Sequence, residues 1–336
     1  MKAVVLRAPG QLGLDSLERP EPGPNRVLVR VTHSGICGTD LGIFSGRIPV
    51  TYPRVMGHEI AGEIVEGGDA LPDGTRVLID PAFNCGTCFF CKEGLFNLCP
   101  NGGLIGRDTD GGFAEYLAVP RKLVFPLPDS IANKNAPLLQ VLTTCVHGQR
   151  RIAIRPGDTV VVLGLGVGGQ LHVQLAKAAG ARVIGVARSA WKRSLAEKLG
   201  ADLVLESDGQ TVAKVKEATG GRGADIVIEC TGKLPVLSDG IAMARPGATL
   251  LLFGITSAKE GALPFYDLYF KELTVQNGRA ATGADFPPTI ELAASGKVQL
   301  DPLITHRLPI TEADASMKML EADVDGRMKI ILENTF

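Results

Sequence analysis

Four cysteines, Cys85, Cys88, Cys91 and Cys99, stand in the pattern C-x2-C-x2-C-x7-C. Four thiolates close a tetrahedral shell around Zn²⁺ and leave no position for water. Iron–sulfur clusters use the same four thiolates, but zinc suits this spacing and the rest of the chain better. A closed site of this kind is structural. It orders a loop too short to build its own core, and Gly86 and Gly94 allow the tight turns around the ion.

A second set of candidate ligands lies upstream. Cys37, Thr39 and Asp40 follow Gly35, and His58 and Glu59 sit between Gly57 and Gly62. Thiolate, imidazole and carboxylate are all zinc ligands. Alone, a cysteine in a glycine-rich turn packs as a small hydrophobe, and a His-Glu pair is a surface hydrogen-bonded pair. With the cysteine cluster just downstream, the two motifs become specific.

The third feature is a glycine loop. The apolar run Thr159–Leu163 leads into Gly164, Gly166, Val167, Gly168 and Gly169, a strand, then G-x-G-x-x-G, then a helix. The first glycine makes the turn, the second admits a pyrophosphate, and the third lets helix and strand pack closely. The helix N-terminus offers free N–H groups to the phosphates. At the end of the next strand, the place of a ribose-binding acid is taken by Ala187, followed by Arg188, Ser189, Lys192 and Arg193. No carboxylate repels a 2′-phosphate there, and Arg188, Ser189 and Lys192 are suited to bind one. NADP(H) is therefore expected over NAD(H).

These groups need two different scaffolds. The chain has 336 residues, which predicts two domains. Up to about residue 130 it is rich in Pro, Gly and short β-type runs, such as Arg26–Thr32, Glu63–Glu66 and Arg76–Asp80. A turn is expected at Gly67, Gly68 and Asp69. From residue 155 strands and helices alternate, the pattern of a parallel sheet with helices on both faces. The tail after Gly283 is longer than one more strand-helix unit requires and is expected to return to the first domain. Lys plus Arg is 35 and Asp plus Glu 36, so no electrostatic footprint for nucleic acid exists. The apolar run Val160–Val167 is interrupted by glycine, then by Gln170 and His172, which excludes a membrane span. A cytoplasmic protein with reduced thiols is the simplest setting.

Taken together, the motifs resemble the zinc-dependent medium-chain alcohol dehydrogenases over nearly the whole chain. Gly57-His58-Glu59 with Gly62 is similar to that family's zinc signature, and the cysteines have its structural-zinc spacing. The segment Leu300–His306 looks like the liver-type members, and Asp80-Pro81 like the sorbitol and polyol branch. The resemblance implies an α/β chain with two parts. A GroES-like β-rich catalytic domain spans residues 1–148 and 284–336, and a Rossmann doubly wound cofactor domain spans residues 149–283.

The resemblance also implies one catalytic and one structural zinc. Cys37 and His58 become catalytic ligands and Glu59 a direct or switching ligand. Asp40 orients His58, and Thr39 is the first proton acceptor. Two positions depart from the family pattern. Gln140 stands where the third ligand, a Cys or Glu, is expected, and is suited to hold a water. Gly42 replaces a relay histidine, so a proton must leave by another route. The implied activity is hydride transfer between NADP(H) and a secondary alcohol or ketone, with a polar, polyol-like or sugar-like substrate, in a homodimer or homotetramer. The competing readings are an NAD-dependent polyol or amino-alcohol dehydrogenase and a zinc-stabilised NADP(H) sensor without turnover.

Overall fold

The computed structural model describes residues 1–67, 71–322 and 326–336. The turn expected at Gly67, Gly68 and Asp69 falls mostly outside them. Among the described residues, no helix is long and apolar enough to cross a membrane.

The chain divides into two compact units. One comprises Met1–Thr143, Ala281–Ser295 and Leu300–Phe336; the other comprises Thr144–Ala280 and Gly296–Gln299. The first division, between Thr143 and Thr144, falls inside the helix Leu138–Arg150, so no linker marks it. The short piece Gly296–Gln299 joins the second unit, where Gln174 both donates to Gln299 O (3.1 Å) and accepts from Gln299 N (2.7 Å).

The first unit is built on a mostly antiparallel sheet. Its order is Val124–Pro126, Arg76–Ile79, Glu59–Glu66, Arg26–Ile36, Lys329–Glu333 and Ile304–Pro309, with Tyr116–Pro120 also paired to Arg26–Ile36. Alternation along Arg26–Ile36 sends Val27, Val29 and Val31 into one core with Ile60, Ile64, Val77 and Ile79. At the far end of the same strand, Ile36 joins a second core with Val4, Leu6, Ile43 and Met56. The strand expected at Glu63–Glu66 begins earlier, at Glu59. A fully buried glutamate is unfavourable on local grounds; its compensating charge comes from Lys329, far along the chain.

The second unit holds a six-stranded parallel sheet. Its order is Leu203–Glu206, Arg182–Ala187, Thr159–Leu163, Ala224–Glu229, Ala244–Leu252 and Thr274–Asn277. In chain order that is third, second, first, fourth, fifth and sixth, the doubly wound order that opens beside the first strand. Val160 and Val162 pack in one core and Val161 and Leu163 in another. That explains why Thr159–Leu163 reads as continuous rather than alternating. The fifth strand starts at Ala244, five residues before the apolar run that begins at Thr249, and its pairing register with Ala224–Glu229 slips between the two.

Asp80 is 4% exposed in the first unit, and its Oδ1 accepts the Ala82 N–H at 2.9 Å. Burial, reinforced by Asp285, pushes its pKa up to about 7 against the pull of that N–H and of Lys122. An unfolded aspartate titrates near ~3.9. The folded carboxyl therefore costs nothing below that pH, and the cost grows until the group ionises near 7. Asp80→Asn keeps the acceptor and removes the titration. Its stability relative to wild type should rise between pH 4 and pH 8, by on the order of 2–4 kcal/mol in denaturant titrations.

Candidate functional site

The four cysteines converge. Cys85 Sγ lies 3.9 Å from Cys91 Sγ and 3.5 Å from Cys99 Sγ, and Cys88 Sγ lies 3.8 Å from Cys99 Sγ. Zn–S bonds of about 2.3 Å place tetrahedral sulfurs about 3.8 Å apart, so the donor set fits the ion. The electrostatics agree. The N–H groups of Thr87 and Cys88 pull Cys85 down to about 5, whereas burial and the neighbouring sulfurs push Cys91 up to about 12. Holding all four sulfurs as thiolates at these separations requires a cation among them.

The dispersed set converges as well. Ligand atoms of Cys37, Asp40 and His58 all lie within 4.8 Å of one another. Cys37 caps the helix Gly38–Phe44: its Sγ accepts Thr39 N–H at 3.2 Å, and its own N–H donates to Asp40 Oδ2 at 2.9 Å. Helix capping thus fixes thiol and carboxylate together. Asp40 Oδ1 faces His58 Nδ1 at 3.2 Å, leaving His58 Nε2 on Cys37 Sγ at 3.0 Å. Burial opposes charge on the ring, but Asp40 and Cys37 outweigh it and hold His58 well above its ordinary value. A pocket that demands positive charge between two acids fits a metal cation.

Glu59 does not join this cluster. It is completely buried and paired with Lys329 Nζ, which also donates to Ile36 O at 2.8 Å. Lys329 has no motif around it, and its role was invisible in the sequence.

The glycine loop takes up the expected form, with Thr159–Leu163 running into the helix Val167–Ala178 capped by Gly166. At Gly169 a Cβ would stand 1.9 Å from Gly164 O, so helix and strand meet only if this residue is glycine. At Gly166 a Cβ would meet nothing within 4 Å, the open space a phosphate cradle requires. Val167 and Gly168 begin the helix; Gly168 packs on Phe253. Gln170, fully buried and also unflagged by the sequence, donates to Leu165 O at 3.3 Å and Lys192 O at 2.8 Å. It ties the loop to the first turn of the helix that follows the strand end. There Ala187 is buried, Arg188 exposed, and Ser189 caps the helix Ala190–Lys198 that carries Lys192.

Residues 23–129 match the alcohol dehydrogenase GroES-like domain, and residues 166–295 the zinc-binding dehydrogenase domain. D-arabitol-phosphate dehydrogenase of Enterococcus avium is 33% identical over 99% of this chain and 97% of its own length. L-galactonate-5-dehydrogenase of Escherichia coli is 36% identical over 92% of each. A structure described as a zinc-binding dehydrogenase from Sinorhizobium meliloti 1021, bound to NADP, superposes with a TM-score of 0.93 at 35% identity, covering 99% of this chain and 98% of the other.

The chain belongs to the zinc-type alcohol dehydrogenase family.

Within this zinc-type dehydrogenase, Gln140 stands half-buried in the first turn of Leu138–Arg150. Gly42 is buried, and a Cβ there would lie 2.7 Å from Ile48 Cδ1, so Ile48 fills the space a larger side chain would need. Cys145 is buried with its thiol toward Gly168 O at 3.7 Å, on the second unit's side of the division, and lies outside both metal clusters.

The two loop glycines separate packing from binding. Gly169→Ala should cost several kcal/mol of stability, on the order of an overpacked core site. Gly166→Ala should stay within about 1 kcal/mol of wild type while weakening dinucleotide binding. Thermal unfolding and nicotinamide fluorescence titration read the two effects.

Proposed function

We propose that this chain is a zinc-dependent dehydrogenase that transfers a hydride between NADP(H) and a secondary alcohol or ketone of polyol or sugar type. The observation that carries this reading is the Cys37–His58–Asp40 cluster occurring in one chain with a complete glycine loop. The NADP-bound structural neighbour and the strand end Ala187-Arg188-Ser189 support the phosphorylated cofactor. Relatives named for arabitol phosphate and galactonate support a polyhydroxylated substrate.

When bound, Zn²⁺ polarises the alcohol oxygen and the nicotinamide exchanges the hydride. Cys37 Sγ and His58 Nε2 would hold the metal. Asp40 keeps the proton of His58 on Nδ1, so that Nε2 presents its lone pair. The Lys329 ammonium engages Glu59, so the glutamate does not compete for the metal while that pair stands. Thr39 follows the helix cap by two residues, and its Oγ1 accepts the substrate hydroxyl proton as it releases its own. With Gly42 in the relay position, the released proton passes to water. Cys85, Cys88, Cys91 and Cys99 would hold a second, structural zinc.

Self-assembly is part of the same reading. In the second unit, Phe265, Tyr266, Tyr269 and Phe270 expose 62–77% of their surface on the helix before the edge strand Thr274–Asn277. An open sheet edge beside aromatic side chains suits a second copy of the chain. Sedimentation should give a dimer or tetramer, and Tyr269→Asp with Phe270→Asp should reduce its size.

Metal analysis should find two zincs per chain. Cys37→Ala should keep one and lose turnover. A panel of polyols, sugar acids and simple secondary alcohols should show activity, with kcat/KM higher for NADP(H) than for NAD(H). A single zinc per chain, with tight NADPH binding and no turnover on any of these, would point to a binding protein instead. A preference for NADH would overturn the cofactor assignment alone.

A further inference from the structure

A carboxylate stands one strand over from Ala187, outside the sequence motif. In the parallel register Ala187 pairs with Glu206, the last residue of strand Leu203–Glu206. The Glu206 side chain is 58% exposed, and its Oε2 lies 3.5 Å from Arg193 Nη2. Arg193 is held in place. Its side chain is only 17% exposed, and Nη1 donates to Ala187 O at 2.8 Å and to Arg188 O at 2.6 Å. One guanidinium thus joins the strand end, the turn after it and the neighbouring strand's carboxylate. The acid missing from position 187 has a counterpart one strand over, and an arginine is bound to it.

We propose that the Glu206–Arg193 pair sets how strongly this chain discriminates a 2′-phosphate from a 2′-hydroxyl, an inference that rests on the dinucleotide reading above. The Glu206 carboxylate opposes a further anion at this strand end and occupies Arg193. Arg193 neutralises most of that opposition and fixes the backbone on which Arg188 and Ser189 stand. The pair therefore keeps the preference for NADP(H) modest, whereas Arg188, Ser189 and Lys192 alone would make it strong.

The test is equilibrium binding to the purified metal-loaded protein, without turnover. NADPH and NADH are titrated by nicotinamide fluorescence, and adenosine 2′,5′-bisphosphate and adenosine 5′-monophosphate by calorimetry. Glu206→Gln should tighten NADPH and the bisphosphate by about fivefold and leave NADH and the monophosphate within about twofold. Arg193→Met should weaken the two 2′-phosphorylated ligands, and Glu206→Gln added to it should tighten them by more than the roughly fivefold it gives alone, the non-additivity expected of one interacting pair. Unchanged NADPH affinity in Glu206→Gln, or equal changes for all four ligands, would overturn the proposal. If Arg193→Met does not fold, Glu206→Gln alone decides. The outcome is separable from the cofactor assignment: a wild type that favours NADH defeats that assignment, while the shift caused by Glu206→Gln is still measured.

Discussion

Glu59 and Lys329 meet inside the first unit with exposures of 0% and 2%. Desolvating two charges costs about what their attraction returns, so such a pair adds little net stability. Losing one partner is a different matter, since a lone buried charge costs about 3–5 kcal/mol. The pair therefore acts as a register lock. Glu59 follows His58, and Lys329 also binds the carbonyl of Ile36, the residue before Cys37. A slip of either strand would strand a charge and move Cys37 or His58, the candidate ligands, together. Gly35 makes the lock possible, because a Cβ there would stand 2.0 Å from Glu59 Oε2.

Around that lock, local chemistry does the finer positioning. A seven-residue helix, Gly38–Phe44, is capped by the thiol and carboxylate that the metal pocket uses. The same two residues start the helix and build the pocket: Cys37 Sγ serves both, and Asp40 gives Oδ2 to the cap and Oδ1 to His58. In the second unit the loop glycines play a comparable double part. Gly169 is needed for packing against Gly164, and Gly166 is needed for empty space. Gln170 connects the loop to the first turn of the helix Ala190–Lys198.

The features readable from sequence are those whose meaning is local. The cysteine spacing, the glycine loop and the alternation of strands and helices each report on a few consecutive residues, and the structure brings each together as spacing implies. The family resemblance implies a direct or switching ligand at Glu59, whereas its partner in the fold is an ammonium 270 residues away that no local motif announces. Glu206 escaped notice for the same reason, since parallel pairing with Ala187 is a property of the sheet and leaves no trace in either strand. The early start of strand Glu59–Glu66 was hidden by the functional motif that occupies it.

The central position of Lys329–Glu333 has a consequence for how the molecule comes into being. This strand lies between Arg26–Ile36 and Ile304–Pro309, yet it leaves the ribosome after the whole second unit. The parallel sheet is encoded contiguously and can close as soon as Asn277 has emerged. The earlier-made half must wait, with Glu59 unneutralised and a sheet edge open beside Arg26–Ile36. During synthesis the cofactor-type unit is the mature partner, and the metal pocket is the nascent one. That interval of exposed edge and bare charge is where chaperone engagement, or misassembly at high expression, would concentrate.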